Sequence, residues 1–155
     1  GIQALDLLAR KIIGTQGEVL KPFSKDVTVF CQQNMDNPAM AEFIKPIMAY
    51  AKEWHELTVL IGGKAMKNPD EIGGASVDYL MYAGYVTLAF FWAKMAKVAQ
   101  DKLAAGTTEP AFYEAKIKTA QFFMQRMLPR AKGHAACIAN GVDSMMALDS
   151  EDFAF

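Results

Sequence analysis

The chain has 155 residues, enough for one domain with a substantial core. Its formal charge of −1, with no block of five or six basic residues, excludes the electrostatic footprint of a nucleic-acid or acidic-membrane binder. Two distant cysteines, Cys31 and Cys137, exclude a secreted disulfide scaffold and read as reduced, packed thiols of a cytoplasmic protein.

Apolar residues make up 52% of the chain, above the usual share for a self-sufficient domain, so part of its surface is expected to be covered by a partner. The opening run GIQALDLLARK starts without a methionine. It already places Ile2, Leu5, Leu8, Ala9 and Ile12 on one face of a helix over roughly residues 2–13. Asp6 and Arg10, four apart with the acid first, fit an ion pair on the other face. TQGE offers a capping box, with Thr15 bonding forward and Glu18 bonding back. The second helix is expected to carry Val19, Phe23, Val27 and Phe30 inward and to end near Met35. Pro22 lies too deep for its first turn and predicts a kink or a later start.

Asn37-Pro38 and Asn68-Pro69 each put a side-chain cap before a proline at a helix start. The third helix repeats Met40, Ile44, Ile47, Ala51, Trp54, Thr58 and Ile61 at alternating four-three spacing, the seam of a bundle helix. Pro46 is expected to bend it and Gly62-Gly63 to fray its end. The fourth helix is expected from about Pro69 to Leu103, stopped by Gly106. Its uncharged run YLMYAGYVTLAFFWA, residues 79–93, falls short of the roughly 20 residues of a membrane span and reads as a buried helix. After Pro110 one four-three stripe runs from Tyr113 through Ile117, Ala120, Met124, Met127, Ala131, His134, Ile138 and Gly141 to Met145 and Leu148. It stays in register across Pro129, which predicts a long kinked helix or two nearly collinear ones. SEDFAF reads as a tail. The whole is all-α: an up-down-up-down four-helix bundle preceded by one short helix.

No catalytic constellation emerges. Di-iron sites in bundles need paired Glu-x-x-His elements, and KEWHE around His55 has the wrong spacing and no second copy. Cys-x-x-Cys-His for attached haem is absent, and methionines at seam positions read as core filling. His55 reads as a surface residue between Glu53 and Glu56. His134 falls in the seam, where a backbone carbonyl is expected to satisfy it. Neither cysteine has a fixed basic neighbour to lower its thiol pKa. The glycine pairs in IGGKAMKNPDEIGG match no phosphate-binding pattern, and the aromatics lack interleaved lysines. Tyr79, Tyr82, Tyr85 and Trp92 cannot all point into one seam. They are the expected interface residues, some of them covered from outside the bundle or left as an exposed patch.

GIQALDLLARK resembles the stretch immediately after the catalytic Glu-Gly-Thr of flavin-dependent acyl-CoA dehydrogenases. In one subfamily that run continues Asn-Gly-Ile-Gln-Ala-Leu-Asp-Leu, and Gly1 to Leu7 match from its glycine onward. Residues 68–96, residues 112–129 and the MAL near the end resemble the helical domain appended to that subfamily. The subfamily includes 3-methylmercaptopropionyl-CoA dehydrogenases and related bacterial fatty-acyl enzymes. The resemblance implies that residues 1–14 are the last helix of a dehydrogenase body, and that residues 15–155 are the appended bundle. It also implies a parent enzyme in which a glutamate removes the α-proton of an acyl-CoA while hydride passes from the β-carbon to FAD. That glutamate would precede Gly1. Where many members hold the flavin with a glutamine side chain, this sequence has Gly1, which leaves only backbone contact, and Ala9 replaces a glycine common in the subfamily. No FAD, metal or catalytic residue is therefore expected in this piece, which would be inactive alone. Its expected partners are the dehydrogenase body of the same chain and a second copy in a homodimer. A free-standing helical interaction or dimerisation module without enzymatic activity is the alternative.

Overall fold

The computed structural model describes residues 1–154, and among them there are helices and turns but no strand. Helix α1 (Ile2–Leu5) runs unbroken into a π-wound segment, Asp6–Ile13. After a 3₁₀ turn at Glu18–Leu20 come α2 (Lys21–Asn34), α3 (Ala41–Ala65), α4 (Asp70–Ala104), α5 (Pro110–Phe122) and α6 (Ala131–Asn140). The architecture is the expected all-helical bundle.

Bonds between the helices fix their directions. Across α3 and α4, Thr58 meets Tyr79 and Tyr82 meets Tyr50, and Gln100 bonds Ala39 in the 3₁₀ turn Pro38–Met40 just ahead of α3, so the later residue of one helix faces the earlier residue of the other. Those two helices are antiparallel. Gln121 bonds Glu42 and Lys132 bonds Glu53, so α5 and α6 ascend alongside α3 in the same sense. Between α5 and α6 the chain passes through a π turn at Phe123–Met127 and a 3₁₀ turn at Leu128–Arg130. Pro129 sits in that 3₁₀ turn, where its missing N–H and ring are tolerated. The expected long kinked helix is what forms.

The central element is α4. Ala75, Tyr79, Tyr82, Val86, Ala89, Ala93 and Ala96 are buried at alternating four-three spacing, with Ser76, Ala83 and Phe90 buried on the adjoining flank. Alanine at so many of these positions lets neighbouring backbones come close. Large residues from α3, such as Phe43, Ile47 and Ile61, fill the space left over. The opening helix is part of the same core. Ala4, Leu8 and Ile12, four residues apart, are all buried, and Leu8 and Ile12 share a cluster with Trp54, Tyr79 and Tyr82. A strict four-residue repeat drifts one way around an α-helix. The wider π winding from Asp6 onward returns Leu8 and Ile12 to the buried face.

Both asparagine caps form, with Asn37 Oδ1 accepting from the Ala39 N–H and Asn68 Oδ1 from the Asp70 N–H. Pro22 lies in the first turn of α2 because that helix starts at Lys21. Several local expectations are corrected. Thr15 makes no forward cap but donates back to the Lys11 carbonyl, because Gln16 and Gly17 take positive φ and turn the chain away. Helix α3 continues through Gly62-Gly63 to Ala65, held by Ile61 in the core. Val19 is exposed rather than inward-facing, and Met145 and Leu148 are exposed beyond the end of α6. The tail expected at SEDFAF forms a 3₁₀ turn at Ser150–Phe153, boxed by Asp149 and Asp152.

Substituting Ala93 by Leu is expected to destabilise the fold by about 1–3 kcal/mol through overpacking against α4's neighbours. Met95→Leu, on the open side of the same helix, should stay within about 0.5 kcal/mol. Urea titrations of both variants by circular dichroism test the contrast.

Candidate functional site

The four aromatic residues expected at an outer interface occupy two different faces. Tyr79 and Tyr82 are fully buried within this chain. The Tyr79 hydroxyl lies 2.7 Å from Thr58 Oγ1, which itself donates to the Trp54 carbonyl. Tyr82 donates to Glu53 Oε2 at 2.5 Å, with the Tyr50 carbonyl at 3.0 Å. Lys132 completes this network from α6, bonding the other Glu53 oxygen at 2.7 Å and lying over the Tyr50 ring. Tyr85 and Trp92, seven apart on the flank of α4, are half-buried and covered by the last helical stretch. Tyr85 stacks on His134 at 6.0 Å, and Trp92 on Phe123 at 6.5 Å. The four do not share one seam, but neighbouring helices of the same chain cover both faces.

Burial raises the phenol pKa of Tyr79, and a nearby Thr58 hydroxyl offsets part of that rise. Tyr82 is pushed far above the ordinary phenol range, first by burial and then by its bond to the Glu53 carboxylate. Burial raises Tyr50 as well. These shifts keep all three phenols protonated near neutrality, and Tyr79 and Tyr82 use theirs as hydrogen-bond donors within the bundle.

His55 is exposed on α3, as its neighbours implied. His134 pairs with a carboxylate rather than a carbonyl: its Nδ1 lies 2.7 Å from Asp78 Oδ1. Cys31 is a buried thiol whose pKa burial raises, whereas Cys137 is exposed on α6 and not packed. Among the described residues no group of three or more His, Cys, Asp and Glu could hold a metal ion. No described helix is long and apolar enough to cross a membrane. Gly1 is exposed and contributes only main-chain groups.

Two apolar surfaces remain. The first is a groove of about 960 Å³ where the end of the opening helix, α2 and α3 meet, walled by Ile12, Leu20, Phe23, Val27 and Trp54. Trp54 Nε1 is sealed from solvent beneath this wall, near the Tyr79 hydroxyl but outside hydrogen-bond geometry with any acceptor. The second surface is the outer side of α4. Val77, Met81, Leu88, Phe91, Met95 and Val98 stand 37–54% exposed. With Gly84 they repeat the four-three spacing of the buried seam, displaced by two residues. This stripe carries the same sequence signal as the buried seam, apolar residues at four-three spacing, but without tyrosine or tryptophan.

Residues 23–149 match the family described as acetyl-CoA dehydrogenase C-terminal like, and the chain belongs to that family. It is 26% identical over 98% of its length to the broad-specificity linear acyl-CoA dehydrogenase FadE5 of Mycobacterium tuberculosis. It is 28% identical over 94% of its length to 3-methylmercaptopropionyl-CoA dehydrogenase of Ruegeria pomeroyi. The chain spans only 26% and 25% of those two relatives.

Because their folded pKa values lie above the unfolded phenol value, Tyr79 and Tyr82 contribute stability that is intact below about pH 10. That stability falls as pH rises past 10, where the unfolded chain releases protons and the native state does not. Absorbance titration at 295 nm should show two phases, the later one coinciding with loss of helix. Tyr79→Phe and Tyr82→Phe should each remove amplitude from the later phase alone. A thiol reagent should label Cys137 at once and Cys31 only on unfolding.

Proposed function

We propose that this chain is the C-terminal, architectural part of an FAD-dependent acyl-CoA dehydrogenase and is inactive alone. In this reading residues 1–14 are the last helix of the catalytic body and residues 15–155 the appended bundle. The parent oxidises an acyl-CoA thioester between its α- and β-carbons in the cytoplasm, and its FAD accepts the hydride. The catalytic base and the flavin-binding residues belong to the remainder of the parent.

The observation that carries this reading is the burial of Leu8 and Ile12 in the cluster that includes Tyr79, Tyr82 and Trp54. In this reading a helix of the body shares its core with the bundle, which supports docking by continuous packing over a free linker. In this reading Tyr79 and Tyr82 line the core that joins the two parts, and are not an outer docking face. Glu53, Tyr82 and Lys132 tie α3, α4 and α6 behind that junction.

The test is to assay the full-length parent, with and without residues 15–155, against acyl-CoA thioesters of graded chain length. Deletion should lower activity or change assembly; unchanged activity and assembly would count against an architectural role. Leu8→Ala in the intact parent should cost about 2–5 kcal/mol of stability and release the bundle to proteolysis. Ile2→Ala, at an exposed position, should do neither.

A further inference from the structure

The outer stripe of α4 is a self-complementary surface, and we infer that it pairs two copies of this chain as an antiparallel helix couple about a two-fold axis. Four features support this. The stripe Val77, Met81, Gly84, Leu88, Phe91, Met95 and Val98 alternates four and three without a break for about 30 Å of helix. Reversed, that alternation remains an alternation of four and three, so the face can match its own copy running the other way. A two-fold contact requires this property, since one patch must serve both partners.

The second feature is area. Six large side chains, each about half exposed, leave on the order of 500 Å² of apolar surface, at the upper end of what a monomer presents in one patch. Two such faces together would bury about 1,000 Å², the threshold for a specific protein contact. The third is the desolvation cost. No charged residue occurs between Asp78 and Lys94, so the middle of the stripe can leave water without stranding an ion. The fourth is Gly84. A side chain built there would meet nothing within 4 Å, so the backbone is bare where two α4 helices would cross. A large residue of the second copy, such as Leu88, can fill that gap.

The contact predicts which positions approach their own copies. Near the axis, Leu88 lies within about one helical turn of its mate along the helix direction. Val77 lies about 25 Å or more from its own. The natural polypeptide is prepared with Leu88→Cys or with Val77→Cys, each in a Cys137→Ser background. Both are treated with a short bis-maleimide of about 10 Å reach, and linked peptides are identified by mass spectrometry. Both substitutions are at half-exposed positions, and unchanged circular dichroism verifies folding. The expected result is at least ten-fold more 88–88 than 77–77 linkage, and loss of the α4 contact on sedimentation of a Leu88→Asp, Phe91→Asp variant. Equal linkage at both positions, or linkage at 77 alone, would show parallel or random association and overturn the inference. Failure to link at 88 overturns it too. A thiol that then takes up monofunctional maleimide marks a bare face, and one that refuses it marks a face covered by another part of the same polypeptide.

Discussion

The structure depends on how closely neighbouring helices can approach α4. Seven of its buried positions, Ala75, Ala83, Ala89, Ala93, Ala96, Ala99 and Ser76, carry one or two side-chain heavy atoms. A helix with small residues there can be contacted from several sides at once. The opening helix, α3, α5 and α6 all pack on it. Its large buried side chains, Tyr79, Tyr82, Val86 and Phe90, occupy the spaces between those contacts. Enlarging the alanines would push the surrounding helices apart, whereas trimming an outer residue would leave the packing inside the chain unchanged.

Polar chemistry inside this bundle serves alignment. Glu53 receives one hydrogen bond from Tyr82 and one from Lys132, which binds three helices to a single carboxylate. Asp78 and His134 pair beneath the Tyr85 ring and do the same for α4 and α6. Groups that in another setting could carry acid–base chemistry are here committed to one another, and the phenols of Tyr79 and Tyr82 are held neutral.

Two kinds of expectation separate when residues are followed one at a time. Helix starts at Asn37 and Asn68, the stop near Gly106 and the bend at Pro129 depend on chemistry within a few residues, and they formed as read. The Thr15 cap gave way to a local feature, the positive φ of Gln16 and Gly17. The fraying at Gly62 and the inward place of Val19 depend on what lies across the core, where Ile61 is anchored. The interface reading divided in the same way. That Tyr79, Tyr82, Tyr85 and Trp92 could not share a seam follows from helical periodicity alone. Which neighbours cover each of them depends on the positions of α1, α3, α5 and α6.

The sequence by itself determined an all-helical chain, the spacing of its seams, and a resemblance to an acyl-CoA dehydrogenase terminus, because these are carried by local periodicity and short motifs. Only the tertiary structure decided which of the two stripes on α4 faces inward. Both have the same four-three spacing, and periodicity has no preference between them. Packing does: the stripe rich in alanine admits neighbouring helices, and the stripe of Val77, Met81, Leu88 and Phe91 is left facing out.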